Sequence, residues 1–277
     1  MQLRKYFAAL SAALLLTGAA VVNAAALTPT NVTWNPSGAG ISTAGAFTFN
    51  NVVLNTYLTL DVTGGTAFSE QGYLRLSVFT NAGIPTAIPT AGFPSGTPYS
   101  LYIAFNATGT QSAGTPSTGT STSLTYSLLG APGVTTFQDT LNNGIFNVVG
   151  AAPVTLATGS LVSPGSTSLT VDPGTGLLLP AAQVVATFLP NPAFASFFVT
   201  PPSTTALTVT AAFTSTGTVI TQFSPGGNVN RLRVDGGGGN ATLALAPIPE
   251  PDTYGMLLAG LGLFGFIARR KAKREVA

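Results

Sequence analysis

Tyr99-Ser100-Leu101-Tyr102-Ile103-Ala104-Phe105-Asn106 places Tyr99, Leu101, Ile103 and Phe105 on one side of an extended chain and Ser100, Tyr102, Ala104 and Asn106 on the other. Successive side chains of a strand point to opposite faces, so a period of two marks a strand with one buried and one wet face. The same period runs through 73–80, where Leu74, Leu76 and Val78 oppose Tyr73, Arg75 and Ser77. It recurs in 205–213, where Leu207, Val209, Ala211 and Phe213 oppose Thr208, Thr210 and Ala212. β-Branched Thr on the wet face suits a pleated surface that carries no charge. Further strand candidates are 47–54, 57–63, 123–129, 184–189, 219–223, 229–234 and 241–245. Gly64-Gly65, Asn142-Asn143-Gly144, Pro225-Gly226-Gly227 and the glycines 236–239 punctuate these runs as turns. The stretch 109–122 holds almost only Gly, Ser, Thr, Ala and Pro and reads as a long exposed loop or a linker between sub-sheets, its lack of apolar anchors favouring the loop. The pattern predicts an all-β fold over 25–246, an antiparallel β-sandwich with jelly-roll connections among the topologies open to it. No repeat of fixed period points to a solenoid.

Composition narrows the chemistry. The 277 residues contain no Cys and no His, and 6% are charged, against roughly 25% in an ordinary soluble domain. Those absences remove Ser/His/Asp and Cys/His nucleophilic sites, His and Cys metal sites and every disulfide. With 41 Thr, 20 Ser and 45% hydrophobic residues, the chain is too apolar for disorder and too uncharged for an ordinary cytosolic enzyme. Of the ten basic residues, Arg4, Lys5, Arg269, Arg270, Lys271, Lys273 and Arg274 lie at the ends. The body keeps Arg75, Arg231 and Arg233 against Asp61, Glu70, Asp139, Asp172 and Asp235, and so is weakly acidic and free of Lys. Nucleic-acid binding rests on clustered cations that neutralise phosphates, so that partner is excluded.

The ends read as targeting segments. Arg4 and Lys5 precede an uncharged Ala- and Leu-rich run, followed by Val22-Asn23-Ala24. This order predicts a secretory signal helix over 1–24 cleaved between Ala24 and Ala25, the alternative being an uncleaved membrane helix. At the other end Pro249-Glu250-Pro251 is followed by an apolar run over 254–268, then by Arg269-Arg270-Lys271-Ala272-Lys273-Arg274. Fifteen residues span about 22 Å as a helix, short of the roughly 30 Å hydrocarbon core, so this transmembrane segment inserts marginally. The basic cluster behind it stays cytoplasmic by the positive-inside rule, which puts the body outside the inner membrane.

Pro249-Glu250-Pro251, the short span and the Arg-rich end resemble the PEP-CTERM sorting signal of Gram-negative bacteria. The resemblance assigns 247–277 to sorting, with Pro249, Glu250, Pro251, Arg269 and Arg270 as its marked positions. It implies a membrane-embedded exosortase as partner and delivery to the cell surface or extracellular matrix after transient anchoring in the inner membrane. The alternative is a plain C-terminal anchor behind a Pro-rich linker. Within the body, Trp34-Asn35-Pro36-Ser37-Gly38-Ala39-Gly40, Phe68-Ser69-Glu70-Gln71-Gly72, and 99–105 followed by Thr108-Gly109 are similar to the flocculation-associated PEP-CTERM proteins. That likeness implies association with exopolysaccharide and a role in flocculation or biofilm, and it assigns no binding residue.

Chemistry in the body has few candidates. Asp61 and Glu70 flank the Gly64-Gly65 turn and could meet across a hairpin as the carboxylate pair of a carbohydrate-active enzyme; otherwise they are charges that keep an edge soluble. Asp139-Thr140-Leu141-Asn142-Asn143-Gly144 offers oxygen ligands but lacks the acid spacing and closing Glu of a calcium loop, and a turn accounts for it better. Asn31, Asn106 and Asn240 match the N-glycosylation pattern, a match expected by chance in so Thr-rich a chain. Trp34, Tyr57, Tyr73 and Tyr102 could form an aromatic platform for sugar rings or pack as core. The expectation is an exported, non-catalytic protein without cofactor or metal.

Overall fold

The computed structural model describes residues 29–93, 95–113, 116–171, 178–202, 204, 207–214, 219–226 and 229–245. The signal segment with Ala24 and Ala25, the motif Pro249-Glu250-Pro251, the apolar span and the tail with Arg269 and Arg270 lie outside these residues. Among the described residues, no helix is long and apolar enough to cross a membrane.

The strands are β1 (Val32–Trp34), β2 (Phe47–Phe49), β3 (Asn51–Thr63), β4 (Ala67–Asn81) and β5 (Ile84–Ala87). They continue with β6 (Tyr99–Gln111), β7 (Ser117–Pro132), β8 (Thr136–Gln138), β9 (Asn147–Val149) and β10 (Val154–Val171). The last are β11 (Leu178–Pro190), β12 (Phe198–Thr200), β13 (Leu207–Thr214), β14 (Val219–Gly226) and β15 (Val229–Leu245). All pairings are antiparallel, and the all-β expectation holds.

Ten of the strands form one sheet that closes on itself, where the alternation alone suggested two stacked sheets. The order runs β13-β11-β10-β7-β6-β4-β3-β15, and β15 pairs back onto β13, so eight strands make a barrel without an open edge. Closure depends on β15 having two partners in succession. Its first half pairs with β14 and its second half with β13, while β3 follows it along both. The exchange occurs at a bulge between Asp235 and Gly237, with Gly236 at φ +84°, a left-handed conformation that glycine adopts without strain. The glycines 236–239 are thus a bend inside one strand, not the turn their composition suggested. The stretch 109–122 is likewise not a loop: β6 runs to Gln111 and β7 starts at Ser117, so most of it is paired strand.

Period-two alternation fills the barrel. Leu54, Leu58 and Leu60 of β3, Phe105 of β6, Leu128 of β7, Val184 and Phe188 of β11 and Val234 of β15 point inward and are buried. Each such side chain contributes roughly 1.5–3 kcal/mol by burial, and an eight-stranded barrel is just wide enough for side chains to fill it. Outward positions such as Thr108, Thr118, Thr120, Thr122 and Thr158 are exposed. This apolar-in, hydroxyl-out pattern is the reverse of a membrane barrel with its apolar outer band.

One end of the barrel is plugged. β1 pairs with β2 and β12 in a small separate sheet, and Trp34 at its end is 2% exposed among Phe49, Phe79, Phe188, Phe197 and Phe198. Between β7 and β10 the chain leaves the barrel, forms the hairpin β8–β9, and lies over the outer wall.

Candidate functional site

The sparse charge of the body gathers where that hairpin meets the wall. All three body arginines bind it. Arg75 on β4 donates from Nη2 to the Thr135 carbonyl at 2.7 Å, with its guanidinium over the Tyr57 and Phe137 rings at 5.3 and 5.2 Å. Arg231 on β15 grips Asp61 through Nε and Nη2, both at 2.7 Å, and donates from Nη1 to the Asn143 carbonyl at 2.9 Å. Arg233 reaches Asp139 at 3.3 Å and lies over the Phe146 ring at 5.7 Å. The Thr59 hydroxyl adds a hydrogen bond to the Gly144 carbonyl. Bidentate and stacked guanidinium contacts hold geometry better than single point charges, so the hairpin is clamped from three strands.

The turn 139–144 is structural. The Asp139 carboxylate accepts from the backbone N–H of Asn143 at 3.0 Å and of Gly144 at 2.8 Å. Burial opposes its charge, but these donors and Arg233 outweigh that and hold its carboxyl below the ordinary Asp value. Asn142 takes the positive φ of 50° that an Asn turn tolerates. Both Asp139 carboxylate oxygens, Asn143 Oδ1 and Thr140 Oγ1 accept hydrogen bonds within the protein, as the turn reading expects.

Asp61 and Glu70 do not form a pair. Asp61 sits opposite Ser69 and Leu60 opposite Glu70, so the two carboxylates belong to opposite faces of the same hairpin. Asp61 faces outward to Arg231, whereas Glu70 faces the barrel interior. The period of two makes this separation unavoidable at that register. Glu70 lies between interior cavities of about 40 and 50 Å³, lined by Thr56, Leu58, Phe68 and Thr167 on one side and Leu74, Phe105 and Val184 on the other. Such volumes admit a few waters and no larger ligand. Desolvation pushes the Glu70 carboxyl from 4.5 up to about 7.

The aromatic candidates divide. Trp34 is core at the plugged end, as a packing role predicts. Tyr57, Tyr73 and Tyr102 come together on the outer wall, packed with Phe137 and Phe146 of the hairpin segment. Tyr73 stacks on Phe137 with ring centroids 5.0 Å apart and planes 18° apart. Burial pushes the Tyr102 phenol up to about 12, aided by Tyr73, so it stays neutral.

Beside this cluster opens a cleft of about 510 Å³. Its floor is the outer face of β3, β4, β6 and β7, through Thr59, Gln71, Tyr73, Asn106, Thr125 and Ser127, and Ile145, Phe146 and Asn147 form its wall. The volume falls within the range of small-ligand sites, roughly 300–1,000 Å³. Sequence reading singled out Tyr73 and missed Gln71, Thr125 and Ser127. Their outward parity was readable, but the cross-strand register that aligns them was not.

No curated protein and no solved structure matches the chain. A family model does match, the PEP-CTERM protein-sorting motif, over residues 247–271. It covers the Pro249-Glu250-Pro251 triplet, the apolar span and the first arginines of the tail. The chain therefore carries a PEP-CTERM protein-sorting motif and is an exported protein sorted by an exosortase.

Proposed function

We propose that this is a non-catalytic surface or matrix protein that associates with exopolysaccharide and promotes flocculation or biofilm formation. The observation that carries the reading is the sorting motif at 247–271, which follows in sequence a barrel whose outer wall presents hydroxyls and amides. Delivery to the surface puts that wall in contact with secreted polymer. A neutral hydroxyl face contacts polysaccharide through many weak polar bonds that salt does not screen. The non-catalytic part draws support from the opposite faces of Asp61 and Glu70, which leave the enzymatic alternative without its carboxylate pair.

A strain lacking the gene is expected to settle more slowly and to form less biofilm than its parent, and complementation with the intact gene restores both. Settling and biofilm equal to the parent's in the deletion strain would end the adhesive reading.

A further inference from the structure

We propose that the cleft between the β8–β9 hairpin segment and the outer barrel wall binds an uncharged glycan chain, with Gln71 and Asn106 as its principal hydrogen-bonding residues. The proposal rests on the surface-matrix reading above and gives it a site.

Four features of the cleft carry the inference. Its floor is ordered by sheet register. Thr59 lies opposite Gln71, Gln71 opposite Asn106, Asn106 opposite Thr125 and Thr125 opposite Ser160, so amides and hydroxyls form one row across five strands. A second row runs Tyr57, Tyr73, Ala104, Ser127 and Thr158. Neighbouring strands are about 4.8 Å apart, which spaces the polar groups like a ladder.

These side chains are available. Gln71, Asn106 and Thr125 are exposed, and with Ser127 they make no side-chain hydrogen bond to another described residue. Each amide offers two donors and an acceptor, and each hydroxyl offers both, which is the mixed pattern that a polyol presents in return. The lining contains no charged residue. The nearest charges are committed to one another or to the hairpin, Asp61 with Arg231, Asp139 with Arg233, and Arg75 with Thr135. A uronate or phosphate polymer would find no free cation there.

The aromatic wall supplies flat apolar surface. Tyr73 is fixed by Phe137 at one edge of the cleft, and Phe146 and Ile145 close the other. A sugar ring has an apolar face and an equatorial rim of hydroxyls, so aromatic surface beside amides suits it. A peptide is a poorer occupant. Extended peptides bind by adding to a free strand edge, and the strands under the cleft are paired on both sides within the barrel. Recognition there passes through side chains alone. The three arginine clamps hold the hairpin in place before any ligand arrives, which lowers the ordering cost of binding.

Affinity electrophoresis tests the assignment on the full chain in detergent, in gels containing dextran, hydroxyethylcellulose, galactomannan or polygalacturonate. The protein is expected to be retarded by at least one of the three neutral polymers, equally in low and high salt. Q71A/N106A is expected to weaken that retardation roughly tenfold or more through two lost hydrogen bonds, while Q183A, on the exposed face of β11, leaves it unchanged. Both Gln71 and Asn106 are exposed, so their truncation leaves the fold intact; matching thermal midpoints for variant and parent check this. Full retardation of Q71A/N106A, retardation by polygalacturonate alone, or by none of the four polymers, overturns the proposal. If the deletion strain still settles slowly under any of these results, the cleft assignment falls and the matrix role stands.

Discussion

Trp34→Ala lowers the free energy of unfolding by about 3–5 kcal/mol, the range expected when a large aromatic is removed from a packed core. Its ring meets Phe49 at 4.8 Å, Phe197 at 5.2 Å and Phe79 at 5.6 Å edge-on or tilted, and stacks near Phe188 at 6.2 Å. These partners come from β2, the segment before β12, β4 and β11, elements far apart in sequence. Truncation therefore opens a cavity that no single rearrangement can refill, and it unseats the small sheet from the barrel end. Trp34→Phe is a sharper comparison. It keeps a ring, and it removes an indole N–H that is buried without a hydrogen-bond partner, so it is expected to cost less than half as much. Urea unfolding followed by circular dichroism gives both values. An unchanged midpoint for Trp34→Ala would mean that the plug does not hold the barrel closed.

Glu70→Gln is expected to raise stability at pH 8 by up to about 3 kcal/mol and to leave it nearly unchanged at pH 4. The folded carboxyl titrates near 7 because it is desolvated inside the barrel, while in the unfolded chain it titrates near its ordinary value of 4.5. Between those values the folded state binds more protons than the unfolded one, so stability falls as pH rises. Below 4.5 both states are protonated and no penalty exists; above 7 both are charged and the penalty is complete. Gln keeps the shape and has no charge to desolvate. Thermal unfolding of parent and variant from pH 4 to pH 8 checks the sign: the two curves converge in acid and separate above neutrality. A parent protein whose stability rises with pH across this window would place Glu70 in a wetter or paired environment.

Much of the barrel's inner face was legible in the sequence. Leu101 and Phe105, or Leu207, Val209 and Ala211, are buried as the alternation says, because alternate positions of a strand share a face; Tyr102, of the other parity, is buried as well, under the hairpin segment. Gly64-Gly65 does turn the chain, at φ +60° and +77°. Glycine misled the reading where it serves close packing in a strand. A Cβ on Gly109 would lie 2.2 Å from the Thr120 carbonyl oxygen and 2.4 Å from the Phe68 ring, and one on Gly119 would lie 2.4 Å from the Thr110 carbonyl oxygen. In composition such residues cannot be told from loop glycines; only the pairing of β6 with β7 distinguishes them. Barrel closure was hidden for a related reason. It depends on β15 pairing with both β3 and β13, a long-range fact that no local period encodes.

The candidate site was half visible. Tyr57, Tyr73 and Tyr102 stood out as aromatics, yet what assembles them is the excursion carrying Phe137 and Phe146, which sequence reading took only for its turn at 139–144. Asp61 and Glu70 show the opposite error. Their nearness in sequence suggested a pair, and the parity of their strands sends them to opposite faces.

Mass spectrometry of the C-terminus of the protein recovered from the cell surface and medium tests the central claim most directly. Exosortase sorting predicts a mature chain that ends near Pro249-Glu250-Pro251, with no peptide from the basic tail that begins at Arg269. Recovery of the surface protein with that tail intact would contradict it.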